Sequence, residues 1–284
     1  MSDAWRSIRI PGVRAIAERY GTWFVDAYGV LHDGTTAFPG VVEAMTHAQR
    51  AGVTVVIVTN SGQRIDTVAK RLAGAGIAAD LYNHIMSSGE LTWRHIEQLD
   101  GPELRRLFLI HPNGGPLWLK DLRNPIVDDL AAAELMLVAD MPHRTEEEAR
   151  AGDLLTMLEA AAALRLPLLV PDSDETWPHN GVIRLGPGWI ARRYAELGGE
   201  TIEFGKPYAP IYAAARALCG AHAGEVIMVG DNLATDITGA NREGIASLLV
   251  LKHGVHGGLS DTALAEAVQK HRATPTYIAQ SFAW

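Results

Sequence analysis

The stretch W-F-V-D-A-Y-G-V-L, from Trp23 to Leu31, decides the fold of this chain. Its apolar start ends at Asp26, and Gly29 follows three residues later, which predicts a buried strand that stops at a tight turn. Open α/β sheets bind their ligands at the carboxyl ends of the strands, so this strand would present Asp26 where such proteins carry out chemistry. On this stretch alone, a helix cap or a turn residue is an equally good interpretation of Asp26.

Composition narrows the class of protein. The chain has 284 residues, 48% of them hydrophobic, so it can bury the core of one long domain or two moderate ones. A formal net charge of -8 argues against nucleic-acid binding and favours a small molecule as partner. Cys219 is the only cysteine, the first residues lack the apolar core of a signal peptide, and the apolar runs are short. We therefore expect a cytoplasmic protein that binds neither nucleic acid nor membrane.

Strands and helices alternate along the chain, and the pattern of this alternation changes in the middle of the sequence. Alternation of this kind predicts a parallel sheet covered by helices, an α/β fold. Roughly residues 90–200 read as an inserted second domain with a small sheet of its own and one helix over residues 146–164. The predicted strands cover residues 22–26, 53–59, 107–110, 133–138, 166–170, 226–229 and 245–251, with a short strand and connection over 77–86. Other predicted helices include residues 40–51, 65–75, 209–218 and 234–243.

A second polar spot follows the strand at residues 53–59. Thr59, Asn60, Ser61 and Gly62 bring hydroxyl, amide and backbone N–H groups together beside a helix start, a good cradle for phosphate oxygens. The same residues are also typical of an ordinary turn and N-cap, and for this motif alone capping is the better interpretation.

A third spot places a lysine between a glycine and a proline. Pro207 fits the first turn of the next helix, so Lys206 would lie at a fixed place where its ammonium group faces an anion. Taken alone, Gly205-Lys206-Pro207 is more often a simple loop.

The fourth spot is the run V-I-M-V-G-D-N-L-A-T-D, from Val226 to Asp236. Asp231 ends a buried strand, and Asp236 lies in the first turn of the following helix. Two carboxylates in this arrangement suit Mg²⁺, which prefers oxygen ligands and usually keeps waters and a substrate phosphate. An acidic helix N-terminus explains Asp236 but not the whole string.

Taken together, the four spots resemble the haloacid dehalogenase-like superfamily of aspartate-nucleophile hydrolases, in which these groups follow one another in this order. The finer pattern resembles the class IIA, nitrophenylphosphatase-like branch, whose Rossmann-like, doubly wound core carries an inserted α/β cap domain. The resemblance implies a core at residues 1–89 and 200–284 and a cap at residues 90–199. The motifs are G-V-L-H-D-G at 29–34, T-N-S at 59–61, G-K-P at 205–207 and G-D-N-x-x-T-D at 230–236.

The resemblance also implies roles for the residues that bind and attack phosphate. Asp26 would attack phosphorus and form an aspartyl-phosphate that water later hydrolyses. Thr59, Asn60 and Ser61 would hold the phosphoryl oxygens, while Lys206 would neutralise both these oxygens and the attacking carboxylate. The reaction implied is the hydrolysis of a small phosphorylated metabolite.

A Mg²⁺ ion is the implied cofactor. By the same resemblance, Asp26 and Asp231 would bind it, the backbone carbonyl of Tyr28 would add a ligand, and Asp236 would support the site. The ion would offset the negative charges that keep nucleophile and phosphate apart.

Tyr28 departs from the family pattern, which places a second Asp two residues after the nucleophile to protonate the leaving group and later activate water. A positioned general acid or base contributes about 10²–10⁴-fold, and a phenol is a weaker acid than a carboxyl group. The alternatives are that Tyr28 itself donates, that Asp33 or His32 substitutes, or that the leaving group needs no proton. A further alternative is a phosphate-ligand binding or regulatory protein with little or no turnover.

The segment from Pro171 to Gly188 resembles the end of such a cap, where a loop reaches the substrate. Within it, Asp172 and Asp174 are candidates for reading a substrate amine or hydroxyl. His179 is the best candidate for a contact with the substrate, although a role in a surface loop is the better interpretation of this residue alone. By analogy, a homodimer formed through the caps is also an expectation.

Overall fold

The computed structural model describes residues 7–99, 104–111, 117–141, 144–179 and 182–284, except for the side chains of residues 117, 178, 179, 182 and 223. The chain divides into two compact units. The first unit contains the described residues within 1–59, 65–87 and 206–284, and the second contains those within 60–64 and 88–205. The first unit is therefore built from three separate segments of the sequence.

The first unit is organised around a parallel sheet, which confirms the α/β, helix-covered fold predicted from the sequence. Within the described residues this sheet has seven strands, in the order β1-β13-β12-β11-β2-β3-β4. All its pairs are parallel. The strands are β1 (Ile8–Arg9), β2 (Thr22–Val25), β3 (Thr54–Thr59), β4 (His84–Ser87), β11 (Val226–Gly230), β12 (Ala246–Val250) and β13 (Tyr277–Ala279).

Apolar side chains cover both faces of this sheet. Val25, Ile57 and Val229 belong to one buried cluster, while Leu249 and Ile278 belong to a cluster on the other face. Buried on both sides, these strands read as continuous β-branched and leucine runs, as parallel strands do. The helices of the unit are α1 (Arg14–Ala17), α2 (Val41–Arg50), α3 (Ile65–Gly74), α8 (Ala209–Cys219), α9 (Thr238–Arg242) and α10 (Asp261–His271).

The second unit has its own parallel sheet, in the order β10-β7-β6-β5, and a separate antiparallel hairpin, β8-β9. Leucine, methionine and valine side chains of this sheet are buried on both faces. The strands are β5 (Leu107–Ile110), β6 (Leu135–Val138), β7 (Leu168–Val170), β8 (Thr176–His179), β9 (Val182–Leu185) and β10 (Thr201–Glu203). The helices are α4 (Ser88–Leu99), α5 (Glu146–Ala151), α6 (Leu154–Ala163) and α7 (Pro187–Glu196).

Three sequence-based predictions of local structure are wrong. The single helix over residues 146–164 is two helices, because Gly152 is extended at the end of α5. The predicted helix 234–243 opens with a π-helical turn, Leu233–Ile237, before α9. Pro207 precedes α8 rather than lying in its first turn, a place that Pro210 takes.

No helix in the described ranges has both the length and the apolar character needed to cross a bilayer.

Candidate active site

The carboxyl ends of three neighbouring strands form the site in the first unit. β2 lies between β11 and β3, and Val25 pairs with Val229 on one side and Ile57 on the other. The backbone N–H of Asp26 still donates to the carbonyl of Val229, at 2.9 Å, so Asp26 leaves the sheet beside the end of β11. Thr59, buried at the end of β3, lies at the same edge.

Lys206 joins two of the predicted carboxylates. Its Nζ donates to Oδ1 of Asp26 at 2.6 Å and to Oδ1 of Asp236 at 2.7 Å. The side chain is 2% exposed, and burial alone would lower its pKa. Asp236 and Asp26 outweigh that effect and raise the pKa of Lys206, so the ammonium group stays charged between its two partners.

Asp236 is held by backbone N–H groups as well as by the lysine. Its Oδ2 accepts hydrogen bonds from the N–H groups of Asp231 and Asn232, both at 3.1 Å, across the π-helical turn. Burial raises the pKa of Asp236 to about 6, against the lowering effect of Lys206. The turn therefore fixes this carboxylate with one oxygen on the lysine and the other on the backbone.

Asp231 is fixed from the opposite side by a loop after β12. Its Oδ2 accepts from the N–H of Val255 at 2.8 Å. Its pKa is raised well above the ordinary value, first by burial and then by the negative charges of Asp26 and Asp236. A cation bound next to these carboxylates would offset their mutual repulsion.

The backbone approaches Asp231 so closely that side chains are excluded. Gly29 has a φ of +83°, and a Cβ there would lie 2.5 Å from Oδ2 of Asp231. Glycine alone meets both conditions, since it adopts positive φ freely and has no Cβ. The glycine that follows Tyr28 thus brings the turn after β2 directly against the acidic residue after β11.

The donor set fits a hard divalent cation. Carboxylate oxygens of Asp26, Asp231 and Asp236 lie within 4.8 Å of one another, and Mg²⁺ prefers such ligands. These three residues and Lys206, called the charged cluster below, bring together three carboxylates and one ammonium group. The sequence predicted all four members.

The loop at residues 28–34 places Tyr28 beside this cluster. Tyr28 is 37% exposed, and its ring meets the edge of the His32 ring at a centroid distance of 6.1 Å. Burial, and then the charges of Asp33 and Asp231, raise the pKa of the Tyr28 phenol. The phenol therefore keeps its proton at neutral pH.

Asp33 and His32, the two residues that could replace Tyr28 as proton donor, make hydrogen bonds within the loop. Oδ1 of Asp33 accepts from the N–H groups of Thr35 and Thr36 and from the Thr35 hydroxyl, at 2.8–2.9 Å. These hydrogen bonds lower the pKa of Asp33 to about 2. Nδ1 of His32 accepts from the N–H of Gly34 at 2.8 Å, and burial lowers the pKa of His32 to about 4. Near pH 7, Asp33 is therefore a carboxylate and His32 a neutral imidazole, so neither group is in the protonated form that a general acid needs.

The remaining predicted residues belong to the second unit. Asn60 is buried and donates from Nδ2 to Oδ1 of Asp174 at 3.3 Å. The hydroxyl of Ser61 accepts from the N–H of Gln63. Oδ1 of Asp172 accepts from the N–H of Asp174 at 2.9 Å, a hydrogen bond that stabilises the turn in which both residues lie.

His179 ends β8, and its side chain lies outside the described part of the structure. Its expected contact with the substrate stays a prediction.

Sequence reasoning missed the loop that holds Asp231. Val255 supplies the N–H, and a Cβ at Gly254 would overlap the Asp231 side chain. His256, buried in the same loop, accepts through Nε2 from the N–H of Leu233 at 3.2 Å. The signal was the glycine-rich run H-G-V-H-G-G at residues 253–258, directly after a buried strand.

Sequence models of known families match both ends of the chain. A model described as haloacid dehalogenase-like hydrolase matches residues 23–115. A model of HAD-hydrolase-like proteins matches residues 203–284. Together the matched segments contain all four members of the charged cluster.

Individual proteins resemble the chain over nearly its whole length. Bovine (Bos taurus) chronophin is 26% identical, with 97% of this chain and 95% of the relative covered. D-glycerol 3-phosphate phosphatase of Mycobacterium tuberculosis is 25% identical, with 94% and 71% covered. The crystal structure of a haloacid dehalogenase-like hydrolase from Brucella suis aligns with a TM-score of 0.79 at 26% identity, covering 96% of this chain and 99% of that one.

Proposed function

Because the chain belongs to the haloacid dehalogenase-like hydrolases and its relatives include phosphatases, we propose that it is a Mg²⁺-dependent hydrolase of small phosphate esters with Asp26 as nucleophile. The observation that carries the proposal is the charged cluster, where one lysine holds Asp26 and Asp236 beside Asp231.

In the first half of the proposed reaction, an Asp26 oxygen attacks phosphorus. The bond from phosphorus to the ester oxygen breaks, and the leaving oxygen takes up a proton. Lys206 lies 2.6 Å from Oδ1 of Asp26, so the ammonium group orients the attacking carboxylate and offsets its charge. Thr59 at the end of β3 is proposed to hold a phosphoryl oxygen.

In the second half, water attacks phosphorus, the bond from Asp26 to phosphorus breaks, and inorganic phosphate leaves. Covalent catalysis of this kind divides one difficult step into two easier ones. Asp26, Asp231, Asp236 and the Tyr28 carbonyl would hold Mg²⁺. When bound, this ion supplies positive charge that stabilises the phosphoryl oxygens.

We assign proton donation to the leaving oxygen to the Tyr28 phenol. The raised pKa of Tyr28 keeps it protonated, whereas Asp33 and His32 are engaged in the loop and unprotonated near neutral pH. As a phenol, it is a weaker acid than a carboxyl group, so esters with a poor leaving group should turn over slowly.

We further propose that the second unit is the cap domain and that it decides which phosphorylated metabolite is accepted. Asp172 and His179 stay candidates for that role, and the predicted homodimer stays a prediction.

Turnover of p-nitrophenyl phosphate tests the central part of this proposal. Purified protein should release p-nitrophenolate with Mg²⁺, lose turnover with EDTA and regain it when Mg²⁺ is restored. Asp26→Asn should lower kcat at least about 10³-fold, because removing a nucleophile abolishes the covalent route. Circular dichroism of the variant controls for folding. Phosphate binding without turnover of any ester in a library would instead support a binding or regulatory protein.

A further inference from the structure

A buried imidazole completes the hydrogen bonds of the turn that carries two acids of the charged cluster. Three of the first four N–H groups of the turn at residues 231–236 donate to acceptors inside it, two to the Asp236 carboxylate and one to Oδ1 of Asn232. The fourth, the N–H of the buried Leu233, donates outside the turn, to Nε2 of His256 at 3.2 Å. Because a buried N–H needs an acceptor, the turn depends on His256 for this one.

The same contact defines the state and place of the imidazole. Nε2 of His256 accepts, so it carries no proton, and in a neutral imidazole the proton then lies on Nδ1. The side chain is buried, and its ring meets the edge of the His271 ring at a centroid distance of 6.4 Å. His256 therefore lies between the turn and the end of α10, with its acceptor nitrogen on the turn.

The loop at residues 253–258, which carries His256, also holds Asp231. The N–H of Val255 donates to Oδ2 of Asp231 at 2.8 Å. These two neighbouring loop residues thus bind the turn at two points, Asp231 and Leu233. Movement of the loop away from the turn would break both hydrogen bonds together.

Asp231 needs this support because of the charges beside it. Carboxylate oxygens of the three acids in the charged cluster lie within 4.8 Å of one another, and like charges at such distances repel. Lys206 donates to the other two acids, whereas Asp231 is held by the N–H of Val255. Without the loop, repulsion would turn Asp231 away from the other carboxylates, and a cation would have to bring it back at a cost in affinity.

We propose that His256 is a positioning residue, which holds the 253–258 loop on the turn and so keeps Asp231 in place for a divalent cation. The proposal rests on the proposed function, because it assumes that Asp231 binds Mg²⁺. His256 acts through the backbone and is not itself a ligand, since its Nε2 accepts from Leu233. Residues that orient metal ligands in this way contribute about 10–100-fold to metal affinity.

Calorimetric titration with Mg²⁺ and amide hydrogen exchange at Val255 test the proposal. His256→Leu removes the acceptor and keeps a large side chain. It should raise the Kd of Mg²⁺ about tenfold, the lower end of such effects. It should also speed exchange of the Val255 amide about tenfold in the absence of metal, because the loop opens more often. His256→Gln should stay near wild type in both measurements, because its amide oxygen can accept from Leu233.

His222→Leu makes the same change at an exposed position and should alter neither quantity. Two results would overturn the proposal: wild-type Mg²⁺ affinity or wild-type exchange at Val255 in His256→Leu, and a His256→Gln variant as impaired as His256→Leu. If His256→Leu does not fold, His256→Asn, whose amide is too short to reach Leu233, replaces it with the same expectations.

The wild-type titration separates this proposal from the proposed function. If the wild type binds no Mg²⁺, the proposed metal site fails, and exchange of the Val255 amide still decides whether His256 holds the loop. If the wild type binds Mg²⁺ and hydrolyses p-nitrophenyl phosphate but His256→Leu has the same Kd, the positioning role alone fails.

Discussion

The charged cluster and the 28–34 loop touch at Gly29 and Asp231, yet they are built in opposite ways. In the cluster, Lys206 and the carboxylates are buried and hold one another through charge-assisted hydrogen bonds. In the loop, Tyr28 is partly exposed and the Asp33 carboxylate is used by its own turn. Among the described residues, the cluster therefore holds the groups that we propose to bind and attack phosphate, whereas the loop offers a phenol, a weak acid, as the proposed proton donor.

This contrast predicts two kinds of variant. Changes in the cluster should affect every phosphate ester equally, because all of them need the nucleophile and the charge balance. Changes at Tyr28 should affect esters according to how much their leaving group needs a proton.

Lys206→Met should have the largest effect. It removes the one ammonium group from between Asp26 and Asp236, and breaking a buried ion pair costs about 3–5 kcal/mol of unfolding free energy. Turnover of p-nitrophenyl phosphate and of alkyl phosphates should fall together by about 10³-fold or more. Urea unfolding and steady-state rates measure the two effects. Lys70→Met, at an exposed position of α3, is the control, and equal loss in both variants would refute the buried role of Lys206.

Tyr28→Phe should have a smaller and selective effect. Turnover of alkyl phosphates should fall about 10²-fold, the lower end of general-acid contributions. Turnover of p-nitrophenyl phosphate should fall much less, because p-nitrophenolate leaves without a proton. The ratio of kcat/KM for the two substrates is the measurement, and a uniform loss would remove Tyr28 from the role of proton donor.

Tyr28→Asp should move the same ratio in the other direction. A carboxyl group at this position is a better acid, so alkyl phosphate turnover should rise about tenfold, within the range that a positioned acid supplies. A loss with both substrates would show that the native reaction depends on the tyrosine itself.

The last prediction concerns acid stability rather than activity. His32 is buried in the 28–34 loop, and His256 is buried in the loop that holds Asp231. Burial lowers the pKa of His256 and of His32 to about 4, below the unfolded value of about 6.5. As pH falls from 6.5 to 4, both histidines become protonated in the unfolded chain but stay neutral in the folded chain. The free energy of unfolding therefore decreases over this pH range. Above pH 6.5 neither histidine contributes to the slope.

His256→Gln should reduce this acid sensitivity by about 2 kcal/mol at pH 5, since the glutamine oxygen can accept from Leu233 without titrating. Urea unfolding at pH 5 and pH 7.5 measures the difference. His222→Gln, at an exposed position, is the control. An unchanged slope in His256→Gln would contradict the lowered pKa of His256.

The sequence was sufficient to predict the strand ends and the cluster. Asp26, Thr59 and Asp231 each follow a continuous apolar run, and parallel strands bring such ends to one edge. The order of Asp26, Thr59, Lys206 and Asp231 along the chain then identified the family.

Other features depend on contacts that no local pattern reports. The break at Gly152 lies between a Glu- and Ala-rich segment and a Leu- and Ala-rich one, both of high helix propensity, so one long helix was the natural prediction. The hydrogen bond from the N–H of Val255 to Asp231 joins residues that lie 24 positions apart in the sequence. The hydrogen bonds of Asp33 within its own turn could not be predicted from composition either, because the residue type does not show whether the carboxylate oxygens already have hydrogen-bond donors.

The most direct test of the account is to look for a phosphoryl group on Asp26. Wild-type protein is mixed with p-nitrophenyl phosphate and Mg²⁺, quenched in acid during the first turnovers, digested and analysed by mass spectrometry. We predict one added phosphoryl group on the peptide that contains Asp26, formed with the burst of p-nitrophenolate and missing in Asp26→Asn. A burst of p-nitrophenolate with no phosphoryl group on that peptide would contradict the account.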